Sequence, residues 1–238
     1  MWHDHLMYVV TIDQRDSRST ADRVPGLLAA LEPIPCAAPF ERTAGDEVQG
    51  LVEQPAAVRQ VLLTALRGEH WHCGVGIGPV DPGSWKAGTR AGRGPAYVAA
   101  REAVEAAKDL PGSVAVRVPP DAGETASGWA ADCEAVWALV ASLVLDRTDA
   151  QWRVVDAVDA ADTQAAAAAA LDITPSSVTG ALRLSRIREE RAAYGTLDRL
   201  LVGTHDAATA GAASADSAEA SATPGAARDE QGQGGGDA

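Results

Sequence analysis

The feature that most constrains the fold is an alternation of strand-like and helix-like segments over the first 120 residues. Apolar runs of strand length occur at 6–13 and 48–52 and in the segments HWHCGVGIGPV and GSVAVRVPP. Between them, apolar residues spaced three and four apart predict helices. The order strand–helix–strand–strand–helix–strand–helix–strand predicts a ferredoxin-like α+β sheet.

The rest of the chain predicts helices only. A long helix at about 127–146 carries an apolar stripe, and residues 148–202 have a helical pattern throughout. From Gly203 onward the chain is rich in Ala, Ser, Gly and acidic residues, which offer too little apolar surface to offset chain entropy. We therefore predict an extension at 1–6, a ferredoxin-like domain at 7–120, a linker and connecting helix at 121–147, an all-α helix-turn-helix domain at 148–202 and a disordered tail at 203–238.

Composition narrows the class of protein. The 238 residues carry a net charge of −13, which argues against a protein that coats nucleic acid without sequence preference. The three cysteines are far apart and form no C-x-x-C pair, a pattern typical of a reducing cytoplasm. No apolar run approaches the roughly 18–20 residues that a membrane span requires. We expect a cytoplasmic protein with no membrane partner.

Three acidic residues stand where two neighbouring strands of the predicted sheet end. Asp13 closes the first strand, and Asp46 and Glu47 lie in the turn AGDE between two short strands. Their carboxylates are expected to meet at one edge of the sheet, where hard oxygen ligands would hold Mg²⁺ together with a nucleoside triphosphate. The alternative is structural: Asp13 caps the following turn and AGDE is an ordinary hairpin turn.

A basic, glycine-rich loop precedes the third predicted helix. In WKAGTRAGRGPAY, Lys86, Arg90 and Arg93 come before a helix that begins near Pro95, and Arg101 lies further along that helix. Such a loop can cradle a phosphate group, so these four residues are predicted to bind nucleotide phosphates, with a solvated surface loop as the alternative. The stretch GVGIG is no dinucleotide fingerprint, because proline follows it; its glycines predict a closely packed helix instead.

The segment TQAAAAAALDITPSSVTGALRLSRI has the order of a helix-turn-helix. Thr163 and Thr174 are predicted to cap the two helices, with Pro175 at the first position of the second. Val178 and Leu182 would point to the core. The outer face would then present side chains to DNA bases and phosphates, namely Ser176, Ser177, Thr179, Arg183 and Arg186. The alternative is a helix-turn-helix used for packing or for forming a homodimer, which would double the basic surface.

These motifs together resemble a known family. VVTIDQRDSR, FERTAGDEVQGLV, GVGIGPV and GPAYVAAREAV, in that order, are similar to the SatD family of bacterial proteins over about residues 7–202. More distantly, they resemble the palm-type domains of GGDEF diguanylate cyclases and class III nucleotidyl cyclases. That resemblance implies a metal held by a first-strand Asp, here Asp13, and a hairpin acid, here Asp46 with Glu47 beside it. AGDEV departs from GGDEF at its first and last residues.

Three functions follow as hypotheses. The leading one is a DNA-binding regulator whose first domain senses a nucleotide or a metal ion and shifts the helix-turn-helix through the connecting helix. The second is a Mg²⁺-dependent nucleotidyl cyclase or nucleotidyltransferase that uses Asp13 and Asp46. The third is a non-catalytic scaffold.

Overall fold

The computed structural model describes residues 6–222, and within them the fold is a mixed α+β arrangement around one five-stranded sheet. The strands are β1 (Leu6–Gln14), β2 (Ala38–Arg42), β3 (Glu47–Val52), β4 (Trp71–Pro79) and β5 (Val114–Arg117). Their order across the sheet is β2-β3-β1-β4-β5. Neighbours are antiparallel except β4 and β5, which are parallel.

Eight α-helices accompany this sheet in the described part of the chain. They are α1 (Val24–Leu31), α2 (Pro55–Arg67), α3 (Pro95–Ala107), α4 (Gly123–Leu145), α5 (Asp149–Ala160), α6 (Gln164–Ala170), α7 (Pro175–Leu184) and α8 (Ile187–Ala222). The predicted order of strands and helices in the first 120 residues is confirmed.

The side chains of β1 alternate between two apolar layers, because successive residues of a strand point to opposite faces. Tyr8, Val10 and Ile12 join the larger core, which also contains residues of α1, α2, α4 and α8. Met7 and Val9 pack with the first turns of α3 on the opposite face. The end of β1 therefore emerges between α3 and the β2–β3 hairpin.

The glycines of β4 let α3 lie directly on the strand, as the sequence predicts. A Cβ atom added to Gly74 would come 2.2 Å from the backbone nitrogen of Val104, and one added to Gly76 would come 2.2 Å from the carbonyl oxygen of Ala96. Any side chain at these positions would push the helix away from the sheet. This close approach fixes the distance between α3 and the sheet near the end of β1.

The larger core runs without a break from the sheet into the C-terminal helices. Cys133 and Trp137 of α4 and Leu197 and Leu201 of α8 are buried in the same cluster as the strand residues. A smaller apolar cluster, with Val178 at its centre, joins α5, α6 and α7. A division into a ferredoxin-like domain and a separate all-α domain is therefore not confirmed.

The predicted apolar stripe of the connecting helix is correct for four of its six residues. Cys133, Trp137, Val140 and Val144 are buried in α4, whereas Val136 is half-buried. Trp129 lies over Gly203 of α8 and is 40% exposed.

The chain beyond Gly203 differs from the prediction of a tail without structure. Helix α8 continues to Ala222, and its buried residues include Thr204 and Ala208. Gly211 lies so close to Ala122 that an added Cβ atom would come 2.1 Å from the Ala122 carbonyl oxygen. The small residues that suggested disorder therefore allow close helix packing. The remainder of the predicted tail, residues 223–238, and the extension at 1–5 lie outside the described residues.

One helical segment of the described residues, Pro120–Leu145, is long and apolar enough to match the composition of a membrane span. About one third of the most apolar stretch of this segment is buried inside the protein. This is weak evidence for a span, since a core helix of a globular protein has the same length and hydropathy. No other described helix passes that test.

Candidate functional site

The three predicted acidic residues do come together at one end of β1. Asp13 lies opposite Glu47 in the register of β1 and β3, and Asp46 precedes Glu47 in the hairpin turn. The turn forms as the sequence predicts, with Gly45 in the left-handed region at φ 56°. The carboxylates of Asp46 and Glu47 both act electrostatically on Asp13.

Beside these residues is an open cleft of about 440 Å³, called here the acidic cleft. Its lining residues come from the end of β1, the β1–α1 loop, the hairpin turn, β4 and the end of α3: Asp13, Gln14, Arg15, Asp16, Ser17, Arg18, Ser19, Asp46, His72 and Lys108. A second hollow of about 330 Å³ continues from it and shares Gln14, Ser17, Arg18 and Asp46. The acidic cleft is therefore lined by both carboxylates and cations.

Gln14 holds the β1–α1 loop in shape. Its side-chain Nε2 donates to Thr20 Oγ1 at 3.0 Å and to the Ala21 carbonyl at 2.8 Å, while its Oε1 accepts from the backbone N–H of Arg23 at 2.8 Å. Asp16 takes a left-handed conformation with φ 52°. Because these contacts close the loop on itself, Arg15 and Arg18 stay beside Asp13.

Asp13 in the cleft and Glu47, its neighbour on β3, are each paired with a cation from α3 or from just beyond its end. Lys108 Nζ lies 3.8 Å from Asp13 Oδ2, and Arg101 lies 3.5 Å from Glu47 Oε1. Lys108 also contacts Glu105 at 2.7 Å. Glu47 accepts a short hydrogen bond from the Thr43 hydroxyl as well.

Two groups in the acidic cleft have shifted pKa values. Burial raises the pKa of Asp13 above its usual value; Lys108 opposes this shift, and Asp46 adds to it. Burial lowers the pKa of His72, and the positive charge of Arg15 lowers it further. The Nδ1 atom of His72 is buried and makes no hydrogen bond within residues 6–222. His72 is therefore neutral at pH 7.

The described residues contain no group of three or more His, Cys, Asp or Glu residues placed to hold a metal ion. Asp13, Asp46 and Glu47 therefore do not make an all-protein metal cage. Their chemistry does fit Mg²⁺ that keeps its other ligands as water or phosphate oxygens, because Mg²⁺ commonly binds one or two carboxylates together with a nucleotide.

The predicted phosphate-binding set divides into two parts. Arg90 and Arg101 line a cavity of about 480 Å³ between α3, the hairpin and the glycine-rich loop, together with Thr43, Gln49, Gly92, Tyr97, Val98 and Glu102. Lys86 is exposed and does not line it, and Arg93 lies 4.0 Å from Asp81 on the outer side of the loop. The loop itself is two short 3₁₀ turns, Ser84–Ala87 and Thr89–Ala91, and α3 begins at Pro95 as predicted.

Sequence reasoning missed the cations that line the acidic cleft. Arg15, Arg18 and Lys108 were absent from the predicted site, yet all three line the acidic cleft. Arg15 and Arg18 were visible in the segment DQRDSRS directly after the strand. Lys108 carried no such signal, because its distance from Asp13 depends on how α3 crosses the sheet.

The two helices and both threonine caps of the predicted helix-turn-helix segment form as predicted. Thr163 accepts from the backbone N–H of Ala166 at the start of α6, and Thr174 accepts from that of Ser177 at the start of α7. Val178 and Leu182 are buried. The five residues predicted to face DNA are all exposed, namely Ser176, Ser177, Thr179, Arg183 and Arg186.

Some of these exposed groups already have partners. The Ser176 and Ser177 hydroxyls each lie 2.9 Å from Thr174 Oγ1, and Arg186 Nε donates to Glu189 at 3.0 Å. Arg183 makes no hydrogen bond or ion pair within the described chain. Arg183 is therefore the most available cation of the predicted DNA-binding set.

Comparisons with known proteins find no relative of this chain. No protein-family model matches the chain, and no curated protein or solved structure is significantly similar to it. No family is therefore shown for this chain, and the resemblance to SatD proteins and cyclase palm domains stays a prediction.

Proposed function

We propose that this chain is a DNA-binding regulator that senses a nucleoside triphosphate with Mg²⁺ in the acidic cleft. One observation carries the proposal: carboxylates from β1 and the hairpin face cations from the β1–α1 loop and the C-terminal end of α3 across one open cleft. A metal ion needs the first set and a polyphosphate needs the second.

The pairing of these charges suggests how binding proceeds. Without ligand, Lys108 lies beside Asp13 and Arg101 beside Glu47. A metal ion bound to the carboxylates would leave Arg101 without its partner Glu47 and Lys108 with Glu105 alone, whereas phosphate bound to the cations would leave Asp13 and Glu47 without a counter-charge. A ligand that supplies both charges satisfies both sets at once, so Mg²⁺ and the nucleotide are expected to bind cooperatively. When bound, Mg²⁺ would neutralise phosphate charge.

The sheet supports a ferredoxin-like, palm-related origin for this cleft. The strand order β2-β3-β1-β4, with antiparallel neighbours, is the arrangement expected of a β-α-β-β-α-β unit, to which β5 adds a parallel edge strand. The end of β1 and the β2–β3 turn are adjacent in that arrangement. We propose on this basis that the cleft is equivalent to the metal site of the palm domains that the sequence resembles.

DNA binding is the second part of the proposal, and the exposed face of α7 favours it. The threonine caps and the buried Val178 and Leu182 orient α7 so that its first two turns present short polar side chains outward and its third turn presents Arg183. A recognition helix reads base edges with residues of this kind. A homodimer would place two such helices on DNA, and the three free cysteines suit a cytoplasmic location.

Contacts between α2 and the C-terminal helices supply a route between the two sites. Arg59 pairs with Asp198 of α8 at 2.8 Å, and Arg67 pairs with Asp156 of α5 at 2.5 Å. Since α2 follows β3 directly, a shift of the hairpin on ligand binding would reach α5 and α8 through these pairs.

Calorimetry with product analysis tests the nucleotide site. Wild-type protein and Asp46→Asn would be titrated with each common nucleoside triphosphate, with Mg²⁺ or Mn²⁺ present, and Asp132→Asn on the exposed face of α4 would be the matched control. We expect heat of binding for wild type and the control and none for Asp46→Asn. Cyclic or transferred nucleotide products would favour the enzyme hypothesis. No heat with any nucleotide would remove the nucleotide half of the proposal and leave DNA binding by the helix-turn-helix alone; the scaffold hypothesis would require that DNA binding also fails.

DNA binding is tested separately by selecting duplexes from a random library with the purified full chain. We expect enrichment of a defined sequence, binding that survives Asp13→Ala, and loss of binding in Arg183→Ala. Failure to enrich any sequence would remove the DNA-binding half of the proposal and leave the nucleotide half standing.

A further inference from the structure

A groove of about 310 Å³ opens between α6, α7 and the first turn of α8. Its lining residues are Gln164, Thr179, Leu182, Arg183, Arg188 and Glu189, and we call it the arginine groove. Only Thr179 and Arg183 belong to the DNA-binding set predicted from the sequence. The groove therefore brings two further polar residues, Gln164 and Arg188, next to the predicted recognition helix.

The charge in this groove is unbalanced. Arg183 and Arg188 are exposed, and neither makes a hydrogen bond or ion pair within residues 6–222. The carboxylate that lines the groove, Glu189, is already bonded to Arg186 at 3.0 Å. By contrast, Arg191, further along α8, is paired with Asp159 at 2.6 Å. Neither guanidinium group has a hydrogen-bonded partner within residues 6–222, although the charge of Arg188 helps to lower the pKa of Glu189, in a protein whose net charge is strongly negative.

Gln164 adds a neutral donor beside these cations. The Thr179 hydroxyl lies 3.4 Å from Oε1 of Gln164, so the side chains of α6 and α7 meet across the groove. Because the carbonyl oxygen of that amide faces Thr179, its NH₂ group is left to donate to another acceptor. Two guanidinium groups and an amide NH₂ around one hollow form a site for an anion with several oxygen atoms.

We propose that the arginine groove holds a phosphodiester group of the DNA backbone, bound by the guanidinium groups of Arg183 and Arg188 and by a hydrogen bond that the NH₂ group of Gln164 donates to a phosphate oxygen. This inference rests on the proposed DNA binding by α7. A helix in the major groove has backbone phosphates at its flanks, and phosphate contacts fix the register in which the helix meets the bases. Arg188 and Gln164 set the docking position, and the first turn of α7 reads the sequence.

The salt dependence of DNA binding tests the assignment. Affinity of the full chain for a duplex recovered by selection, and for a scrambled duplex, would be measured by fluorescence anisotropy over a range of salt concentrations. Each phosphate contact contributes about 0.9 to the slope of log affinity against log salt. Arg188→Gln is expected to reduce the slope by about 1 and to weaken both duplexes by the same factor, leaving their ratio unchanged. Gln164→Ala should weaken both without changing the slope.

The matched control is Arg153→Gln, which removes the same charge from an exposed position on α5 outside the groove. It should leave the slope at the wild-type value. A slope for Arg188→Gln equal to that of Arg153→Gln would overturn the phosphate site while the DNA-binding function stands. Absence of any duplex binding by wild type would overturn both together.

Discussion

The carboxylate of Asp13 lies where burial, a cation and neighbouring carboxylates act on one group. Burial and the negative charge of Asp46 raise its pKa, and Lys108 compensates only in part. An acid whose pKa is raised by folding holds its proton more tightly in the folded chain, so ionising it costs stability. That cost appears as the pH rises from the unfolded value of about 3.9 through the raised folded value.

Asp13→Asn is therefore expected to stabilise the unliganded protein at pH 7 while removing metal binding. We expect the melting temperature at pH 7 to rise, because the uncharged amide of asparagine carries no cost of ionisation in the folded chain. The gain should disappear at about pH 3, below both pKa values, where Asp13 is largely protonated in the folded and the unfolded state. Calorimetric melting at the two pH values measures this. A lower melting temperature at pH 7 would show that the ion pair with Lys108 stabilises the folded chain by more than burial of the Asp13 carboxylate costs.

A second prediction concerns the ion pair between Arg147 and Glu190, which joins the end of α4 to α8. Their side chains are 0% and 3% exposed and lie 2.6 Å apart. Arg147 also donates to the Ser185 carbonyl and stacks on Trp152, and Tyr194 donates to Glu190. Glu190→Gln should reduce the free energy of unfolding by about 3–5 kcal/mol, because it leaves a buried cation without its counter-charge.

The comparison for that measurement is Glu189→Gln, one residue earlier on the same helix. Its partner Arg186 is exposed, so this substitution should lower the free energy of unfolding far less than Glu190→Gln does. Urea denaturation of both variants gives the two values. Equal losses would mean that the buried pair adds nothing beyond a surface contact.

At the scale of elements, the position of α3 on β4 decides where Arg101 and Lys108 lie. Gly74 and Gly76 allow the helix backbone to touch the strand. From the sequence, the glycines predicted this packing and the threonine caps predicted α6 and α7, because both depend on local chemistry. The pairing of Lys108 with Asp13 was not predictable, since it depends on where a helix crosses a sheet.

Gly76→Ala should lower the free energy of unfolding by about 1–3 kcal/mol and weaken nucleotide binding together, because the new methyl group collides with the backbone of α3. Gly128→Ala in α4 is the control: nothing lies within 4 Å of its added Cβ atom, and a helical alanine should add about 0.5–1 kcal/mol. Denaturant melts and nucleotide titrations would be run on both. If Gly76→Ala bound nucleotide with wild-type affinity, the position of α3 would have no effect on binding in the acidic cleft.

At the scale of the whole molecule, the C-terminal helices belong to the same core as the sheet. Leu197 and Leu201 of α8 are fully buried against sheet and helix residues alike, and Tyr8 of β1 donates to the Leu201 carbonyl. The sequence placed a domain boundary before these helices, because a helical pattern shows which face is apolar but not what covers it.

Truncation measures how much the later part of α8 contributes. A chain ending at Gly203 should unfold at lower denaturant concentration than a chain ending at Ala222, since the shorter one lacks the buried Thr204 and Ala208 and the contact of Gly211 with Ala122. Guanidinium melts of the two chains give the difference. Identical midpoints would mean that residues 204–222 contribute no stability.

The most direct measurement of the central claim is the affinity for a selected DNA duplex with and without saturating nucleotide and Mg²⁺. If the acidic cleft is a sensor coupled to α7, wild-type affinity should change at least about fivefold on adding the nucleotide, the lower end of typical coupling between sites. Asp46→Asn should bind DNA with one affinity under both conditions. Equal DNA affinity of the wild type with and without bound nucleotide would contradict the account.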